Sequence, residues 1–321
     1  MIAAAGARTG RGQAHGKAIL IGEHWVLTGC EAIALSLTAW WTRVDWSGDG
    51  PLHLLTEDGQ PGDAKSLQML EQAAAQLEVA AQGTARVTSN LPMHRGFGSS
   101  AAFAVAALRA LAARQDRSLE GDALLQAARS VEAIAHGRSS GLDPAAAMSG
   151  GGAVLFAEGR RVGEVAIGAA LSEARWVLCD VGRAPPTAEA VAIARAARAA
   201  MGTSQDAALQ RATADAAQAA ASALRDGDGA GLGAAMNAAG DALVPLGVVS
   251  PAMRRAIDAL RAAGALGVKQ SGAGLGGAVL ALAPDPALAA TLCAAVADCT
   301  AERWVLPVVE PTAATPLEAG P

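Results

Sequence analysis

The chain has 321 residues, 52% of them hydrophobic and 17% charged, with 25 basic residues against 30 acidic ones and a net charge of −5. This balance excludes a disordered chain, and the absence of a basic run excludes a nucleic-acid footprint. No 18-residue apolar run is present, so no membrane span is expected, and the first 15 residues carry Arg8 and Arg11 without the apolar core of a secretory signal. Four cysteines (Cys30, Cys179, Cys293, Cys299) lack CxxC spacing and sit among apolar residues, which predicts reduced core thiols in a cytoplasmic protein. Only three of the basic residues are lysines: Lys17, Lys65 and Lys269.

Residues 17–46 read as strand, turn, strand, with the turn at Thr28-Gly29 and apolar–polar alternation after it. Residues 48–62, rich in Gly, Asp and Pro, read as a loop. Leu67, Leu70, Ala74 and Leu77 set a helical period through 65–82. A short strand at 85–92 stops at Pro92. Helices follow at 99–114 and 122–136, the latter closed by Gly137, and then a strand at 151–156. The second half opens with a strand at 175–180. One or two Ala-rich helices fill 187–223, a flexible glycine break covers 227–233, and helices occupy 232–243 and 251–263. Strand 278–283, helix 287–297 and strand 302–309 complete the pattern, and the Pro- and Ala-rich tail 311–321 is expected to fray. Strands and helices mix without regular βαβ alternation. The expected class is therefore α+β in two halves, 1–170 and 171–321.

Three glycine-containing segments and two carboxylates carry candidate chemistry. In PMHRGFGSSAA, Gly96 and Gly98 permit close backbone approach, and Ser99, Ser100 and Ala101 open a helix whose free N–H groups can face an anion. A flexible turn with a serine N-cap is the alternative. In SGAGLGG, Gly272 and Gly274 belong to a turn that is either tightly bent for its own packing or approached by a ligand. In HGKAILIGEH, Lys17 begins an apolar strand, and Glu23 and His24 follow in the same element; the lysine needs a partner unless its head reaches water. Glu132 lies in a helix among small and apolar residues and is either a solvated face or a ligand. Asp143, before Pro144, has the pattern of a helix N-cap, and a rigidly aimed cap also suits catalysis.

Together the segments HGKAILIGEH, PMHRGFGSSAA and KQSGAGLGG, in that order, resemble the three motifs of the GHMP kinase superfamily. Within it the chain is most similar to the mevalonate kinase family. GKAILIGEHWVLTGCEAIA follows that family's first motif nearly throughout, and His24 stands where phosphomevalonate kinases usually have tyrosine. The run Glu132 to Ala145 echoes its ExxxHGxPSGxDxA, and Asp180 to Thr187 its DxGxxxxT. Departures include His15 for a proline, Arg95 and Phe97 for small or aliphatic loop residues, Ser139 for the proline of PSG, and Leu275 for a glycine.

The resemblance implies a two-domain GHMP kinase fold, with an N-terminal ribosomal-protein-S5-like α/β domain and a C-terminal ferredoxin-like α+β domain. It implies ATP-dependent phosphorylation of the 5-hydroxyl of mevalonate, in isoprenoid precursor biosynthesis. By the same resemblance Gly96, Gly98, Ser99, Ser100, Ala101, Gly272 and Gly274 would bind the nucleotide, and Ser100 and Glu132 would hold Mg²⁺. Asp143 and Lys17 would be catalytic, and Glu23 and His24 would line the acceptor pocket. Arg95 would add charge near the phosphates. Another GHMP kinase, for phosphomevalonate or a sugar, and a non-catalytic nucleotide-binding relative remain the alternatives, and a homodimer stays open.

Overall fold

The computed structural model describes residues 8–309 apart from 94 and 138; the tail expected to fray lies outside the described residues. Two sheets organise the chain, giving an α+β fold. The first contains β1 (Gly10–Ile21), β2 (Ala32–Pro51), β3 (His53–Leu55), β4 (Gln82–Ser89), β5 (Ala153–Ala157) and β6 (Arg160–Val165), in the order β3-β4-β2-β5-β6 with β1 also on β2. The 20-residue β2 is long enough to pair β5 near its start, β4 near its end, and β1 along most of its length. The second sheet contains β7 (Arg175–Asp180), β8 (Gly267–Ser271), β9 (Ala278–Ala283) and β10 (Glu302–Pro307), antiparallel in the order β10-β7-β9-β8.

Helices α1 (Ala64–Gln76), α2 (Ser99–Ala113), α3 (Gly121–His136) and α4 (Leu142–Ala147) accompany the first sheet. Alanine explains how closely α2 lies on β1. Its short side chains let Gly10 and Gly12 of the strand approach the helix backbone at Ala110 and Ala106, where a Cβ would meet carbonyl oxygens at 2.1 Å. Helices α5 (Thr187–Ala200), α6 (Thr203–Asp226), α7 (Gly229–Leu243), α8 (Pro251–Ala262) and α9 (Pro286–Ala295) come from the second half of the chain; α7, α8 and α9 pack on the second sheet, and α6 packs on α7 and reaches β1, β2 and β6 of the first. Successive residues of β7 serve opposite cores: Trp176 and Leu178 join the large core shared with the first sheet and α6–α7, while Val177 and Cys179 join α8 and α9. This two-sided burial is the period-2 pattern of a strand covered on both faces. Cys179 is free, like the other three cysteines, and burial pushes its thiol up to about 12, which leaves it unreactive.

Several elements differ from the sequence expectation. β1 starts at Gly10, and β2 and β3 occupy much of the expected loop at 48–62. β6 escapes notice because its RRVGEV sequence is mostly exposed and barely apolar. The expected break at 227–233 is short, since α7 begins at Gly229. Gly233 serves packing rather than flexibility: a Cβ there would lie 2.3 Å from the Leu266 carbonyl oxygen. Among the described residues no helix is long and apolar enough to cross a membrane.

Candidate active site

The motif segments meet in a cleft of about 990 Å³ that is bordered by residues of both halves of the chain. Lys17 reaches it from β1. Opposite His15 and Gly16 the β1–β2 register shifts, and beyond the shift Lys17 pairs with Ser36. Its side chain is 4% exposed, and its Nζ lies 2.9 Å from Oδ2 of Asp143. The lysine therefore has a partner, and the reading with its head in water fails. Asp143 belongs to the first turn of α4, whose N-cap is Gly141 in the left-handed conformation. The expected capping role for Asp143 is thus corrected. Its carboxylate is free of the helix backbone, bound to Lys17 and 31% exposed to the cleft.

The glycine–serine loop wraps over Lys17. The Lys17 N–H donates to the Phe97 carbonyl at 2.9 Å, and Gly98, at φ 80°, caps α2 without a side-chain hydrogen bond. A Cβ on Gly98 would sit 2.6 Å from Lys17 Cγ, so glycine is required for both its positive φ and its lack of volume. The cap is Gly98 rather than a serine. The first helical bond runs from the Ala102 N–H to the Gly98 carbonyl at 2.9 Å, leaving the Ser99, Ser100 and Ala101 N–H groups ahead of it. Ser100, Gly96 and Gly98 border the cleft. Ser99 and Ala101 do not line it with side chains, and Ala101 is fully buried, so the backbone is what they can offer.

Glu132, on α3, is buried rather than on a solvated face. Burial, reinforced by the nearby Asp143 charge, pushes its carboxyl up to about 8, against the lowering effect of a Ser139 hydrogen bond and of Lys17. The Ser139 hydroxyl donates to Glu132 Oε2 and accepts the Gly141 N–H at 3.2 Å. One turn beyond Glu132, His136 Nε2 hydrogen-bonds to Ser100 Oγ at 2.8 Å, and burial lowers the imidazole pKa. Ser100 and Glu132 offer hard oxygens, and Glu132 lacks a neutralising cation of its own; this donor set fits Mg²⁺.

The first and third motifs lock together across the two halves. Lys269 is fully buried and ion-pairs with Glu23 Oε1, while Glu23 Oε2 has no hydrogen-bond partner. Burial lowers the Lys269 pKa, opposed by the Glu23 charge. The Ile19 N–H donates to Ser271 Oγ at 2.8 Å. His24 adopts φ 62° and its Nε2 lies 2.9 Å from the Ala273 carbonyl oxygen. A carbonyl only accepts, so Nε2 carries the proton; burial lowers the pKa, and the neutral ring keeps Nδ1 as an acceptor. Glu23 and His24 are therefore not strand residues, since β1 ends at Ile21, but both border the cleft. Gly272 and Gly274 also border it. Gly274 has a packing reason as well, because a Cβ would lie 2.3 Å from the Val248 carbonyl oxygen.

Arg95 and Phe97 do not serve the cleft. The Arg95 guanidinium pairs with Asp180 at 2.9 Å and Glu302 at 3.2 Å, which corrects the expectation that it adds charge near the phosphates. Phe97 packs edge-on to Trp304, with centroids 5.3 Å apart, and against Trp40 at 4.8 Å. Both side chains fasten the loop to the second sheet. Sequence reasoning gave no role to Ser139 or His136, although both lie inside the quoted Glu132–Ala145 run. Beyond Thr187 it also missed the face of α5 that borders the cleft, whose Ala-rich sequence carries no motif.

Models of the GHMP kinases N terminal domain and the GHMP kinases C terminal domain match residues 65–151 and 220–301. The mevalonate kinase of Aeropyrum pernix is 33% identical over 86% of this chain and 89% of that enzyme. Among solved structures, L. major mevalonate kinase in complex with R-mevalonate superposes with a TM-score of 0.80 at 26% identity, covering 92% of this chain and 95% of that one. The Streptococcus pneumoniae phosphomevalonate kinase complex with phosphomevalonate and AMPPNP, at 15% identity, TM-score 0.76 and coverage of 92% and 99%, shares the fold. With both family regions matched in order and a relative one-third identical along most of its length, the chain belongs to the GHMP kinase family.

Proposed function

We propose that this kinase transfers the γ-phosphoryl group of ATP to the 5-hydroxyl of mevalonate. The observation that carries the reading is the Lys17–Asp143 pair, 2.9 Å apart and open to the cleft on the carboxylate side, directly under the loop that opens α2. Its company within a chain similar to mevalonate kinases along most of its length supports this acceptor.

The division of labour follows from the residues. The free N–H groups at the start of α2 and the bare backbone at Gly96 and Gly98 receive phosphate oxygens. Asp143 accepts the proton of the attacking hydroxyl. Lys17 fixes the carboxylate by a charge-assisted hydrogen bond and places a positive charge beside the nascent alkoxide. Glu23, fastened to Lys269, helps form the wall of the acceptor pocket, and neutral His24 offers an acceptor nitrogen to a substrate hydroxyl. Ser100 and Glu132 would hold Mg²⁺, which when bound neutralises charge on the transferred group. Lys269 and Ser271 hold the acceptor wall without touching the reaction. The reduced thiols suit action in the cytoplasm.

A coupled ADP-release assay with mevalonate, phosphomevalonate, galactose and homoserine side by side tests the proposal. Turnover with mevalonate well above the other three is expected. Preference for another of the four would reject the acceptor while leaving the kinase assignment intact.

A further inference from the structure

We infer that Ser139 is a positioning residue: its hydroxyl aims the Glu132 carboxylate at the Mg²⁺ position and so sets how tightly this kinase holds the metal. This rests on the reading above that Glu132 is a ligand of Mg²⁺. Ser139 stands where the mevalonate kinase pattern has a proline, which has no hydroxyl to give.

Glu132 has few ways to be held. It is 4% exposed and borders the cleft. Lys17, the cation whose charge acts on it, is engaged by Asp143 at 2.9 Å. Among the described residues no ion pair reaches Glu132, and the Ser139 hydroxyl is its one hydrogen-bond donor, at Oε2. Oε1, with no such partner, is left for an ion in the cleft. The torsion that turns a glutamate carboxylate is broad, so packing along the stem does not fix where its oxygens point. Mg²⁺ demands near-ideal octahedral geometry at about 2.0–2.1 Å, and a carboxylate that turns freely serves it poorly. The Ser139 hydrogen bond is what stops that rotation.

The hydroxyl is itself held in place. The Gly141 N–H, 3.2 Å away, can only donate and takes a lone pair of Ser139 Oγ, so the single hydroxyl proton goes to Glu132. Gly141 is fixed in turn. It is the N-cap of α4 at φ 93°, and a Cβ there would meet Arg129 Cδ at 2.8 Å and the Phe156 ring at 3.1 Å. Arg129 is anchored by the Gly159 carbonyl at 2.9 Å. The turn between α3 and α4 is thus pinned from below, and Ser139 joins the carboxylate on α3 to the turn that carries Asp143. Ser100, the other oxygen offered to the metal, has a partner of its own in His136, whose Nε2 lies 2.8 Å from it. The two ligands are oriented by different neighbours, so a change at Ser139 reaches the metal through Glu132 and not through Ser100.

The test measures binding of Mn²⁺, standing in for Mg²⁺, to the full chain with AMPPNP present, by electron paramagnetic resonance, and needs no turnover. Ser139→Ala should weaken Mn²⁺ binding about ten- to a hundredfold, the loss usual when the hydrogen-bond partner of a metal ligand is removed, with AMPPNP binding in chelator unchanged. Ser139→Thr keeps the hydroxyl and should bind Mn²⁺ as the wild type does. In turnover, Ser139→Ala should raise the Mg²⁺ concentration for half-maximal rate by the same factor and leave kcat at saturating Mg²⁺ little changed. Because Ser139→Ala also frees the Gly141 N–H, the decisive comparison is made in the Glu132→Gln background. There Ser139→Ala should cost no further affinity; a loss of the same size in both backgrounds would assign the effect to the turn and overturn the inference. Unchanged Mn²⁺ binding in Ser139→Ala, or binding in Ser139→Thr as weak as in Ser139→Ala, would overturn it too. Unchanged Mn²⁺ binding in Glu132→Gln would instead reject Glu132 as a ligand, which separates the failure of that reading from the failure of this one.

Discussion

Lys17–Asp143 and Lys269–Glu23 are both ammonium–carboxylate pairs formed between distant segments of the chain, but solvent reaches only the first. Asp143 is 31% exposed, whereas in the second pair the lysine is fully buried and Glu23 is 2% exposed. The consequences diverge. An ion pair at a cleft wall keeps a carboxylate oxygen accessible to an incoming hydroxyl, so its charge can do chemistry. An ion pair cut off from water holds two halves of the molecule in register and is costly to break, because either partner left alone is an uncompensated buried charge. The same two residue types thus leave a carboxylate open to the cleft in one place and form a strut in another, and burial is what separates them.

The sharpest way to break the comparison is to remove each pair in turn. Asp143→Asn should lower kcat by about 10²- to 10⁴-fold, the range for loss of a positioned proton acceptor, while ATP binding persists; steady-state kinetics and nucleotide titration check this. Near-native turnover would remove Asp143 from the chemistry. Lys269→Met should behave oppositely, costing about 3–5 kcal/mol in denaturant unfolding because Glu23 is stranded. The double variant Glu23→Leu with Lys269→Met should recover most of that stability, and a double variant as unstable as the single one would show that packing rather than charge is at stake.

A third expectation concerns the carboxylate next to the Lys17–Asp143 pair. In the folded metal-free protein Glu132 titrates at about 8, against 4.5 in its unperturbed state. The folded form holds the proton more tightly, so its stabilising contribution is complete below the unfolded value and is lost as pH rises through about 8. Thermal unfolding in chelator should show stability declining across that window, and Glu132→Gln should flatten the decline. Equal slopes in both proteins would assign the decline to other groups. The smallest effect belongs to the strut: Ser271→Ala leaves the buried Ile19 N–H without its acceptor and should cost about 1–3 kcal/mol, measured by urea unfolding.

Much of this site was legible in residue order. Glycine at 98, serine at 100, and the carboxylates at 132 and 143 announce themselves through local geometry and motif spacing, because backbone conformation at a turn is a short-range property. The role of Arg95 was not, since a guanidinium beside a phosphate loop faces either a ligand or an acidic neighbour, and Asp180 and Glu302 come from strands far along the chain. The capping pattern of Asp143-Pro144 misled for a related reason: Gly141 takes the cap, and Lys17, 126 positions earlier, claims the side chain. Strand β6 and the close contact of Gly233 with Leu266 likewise depend on partners that no local pattern names.

By itself the order of residues determined the α+β class, the loop that opens α2, and the few lysines and carboxylates set in apolar or glycine-rich segments. Those features follow from periodicity, turn chemistry and the cost of burying charge, all readable within a few residues. Only the tertiary structure decided which lysine meets which carboxylate, which of the two pairs stays open to a substrate, and which face of an Ala-rich helix lines the cleft. Those outcomes depend on contacts between segments separated by more than a hundred residues, where packing and the exclusion of water, rather than local propensity, set the energy.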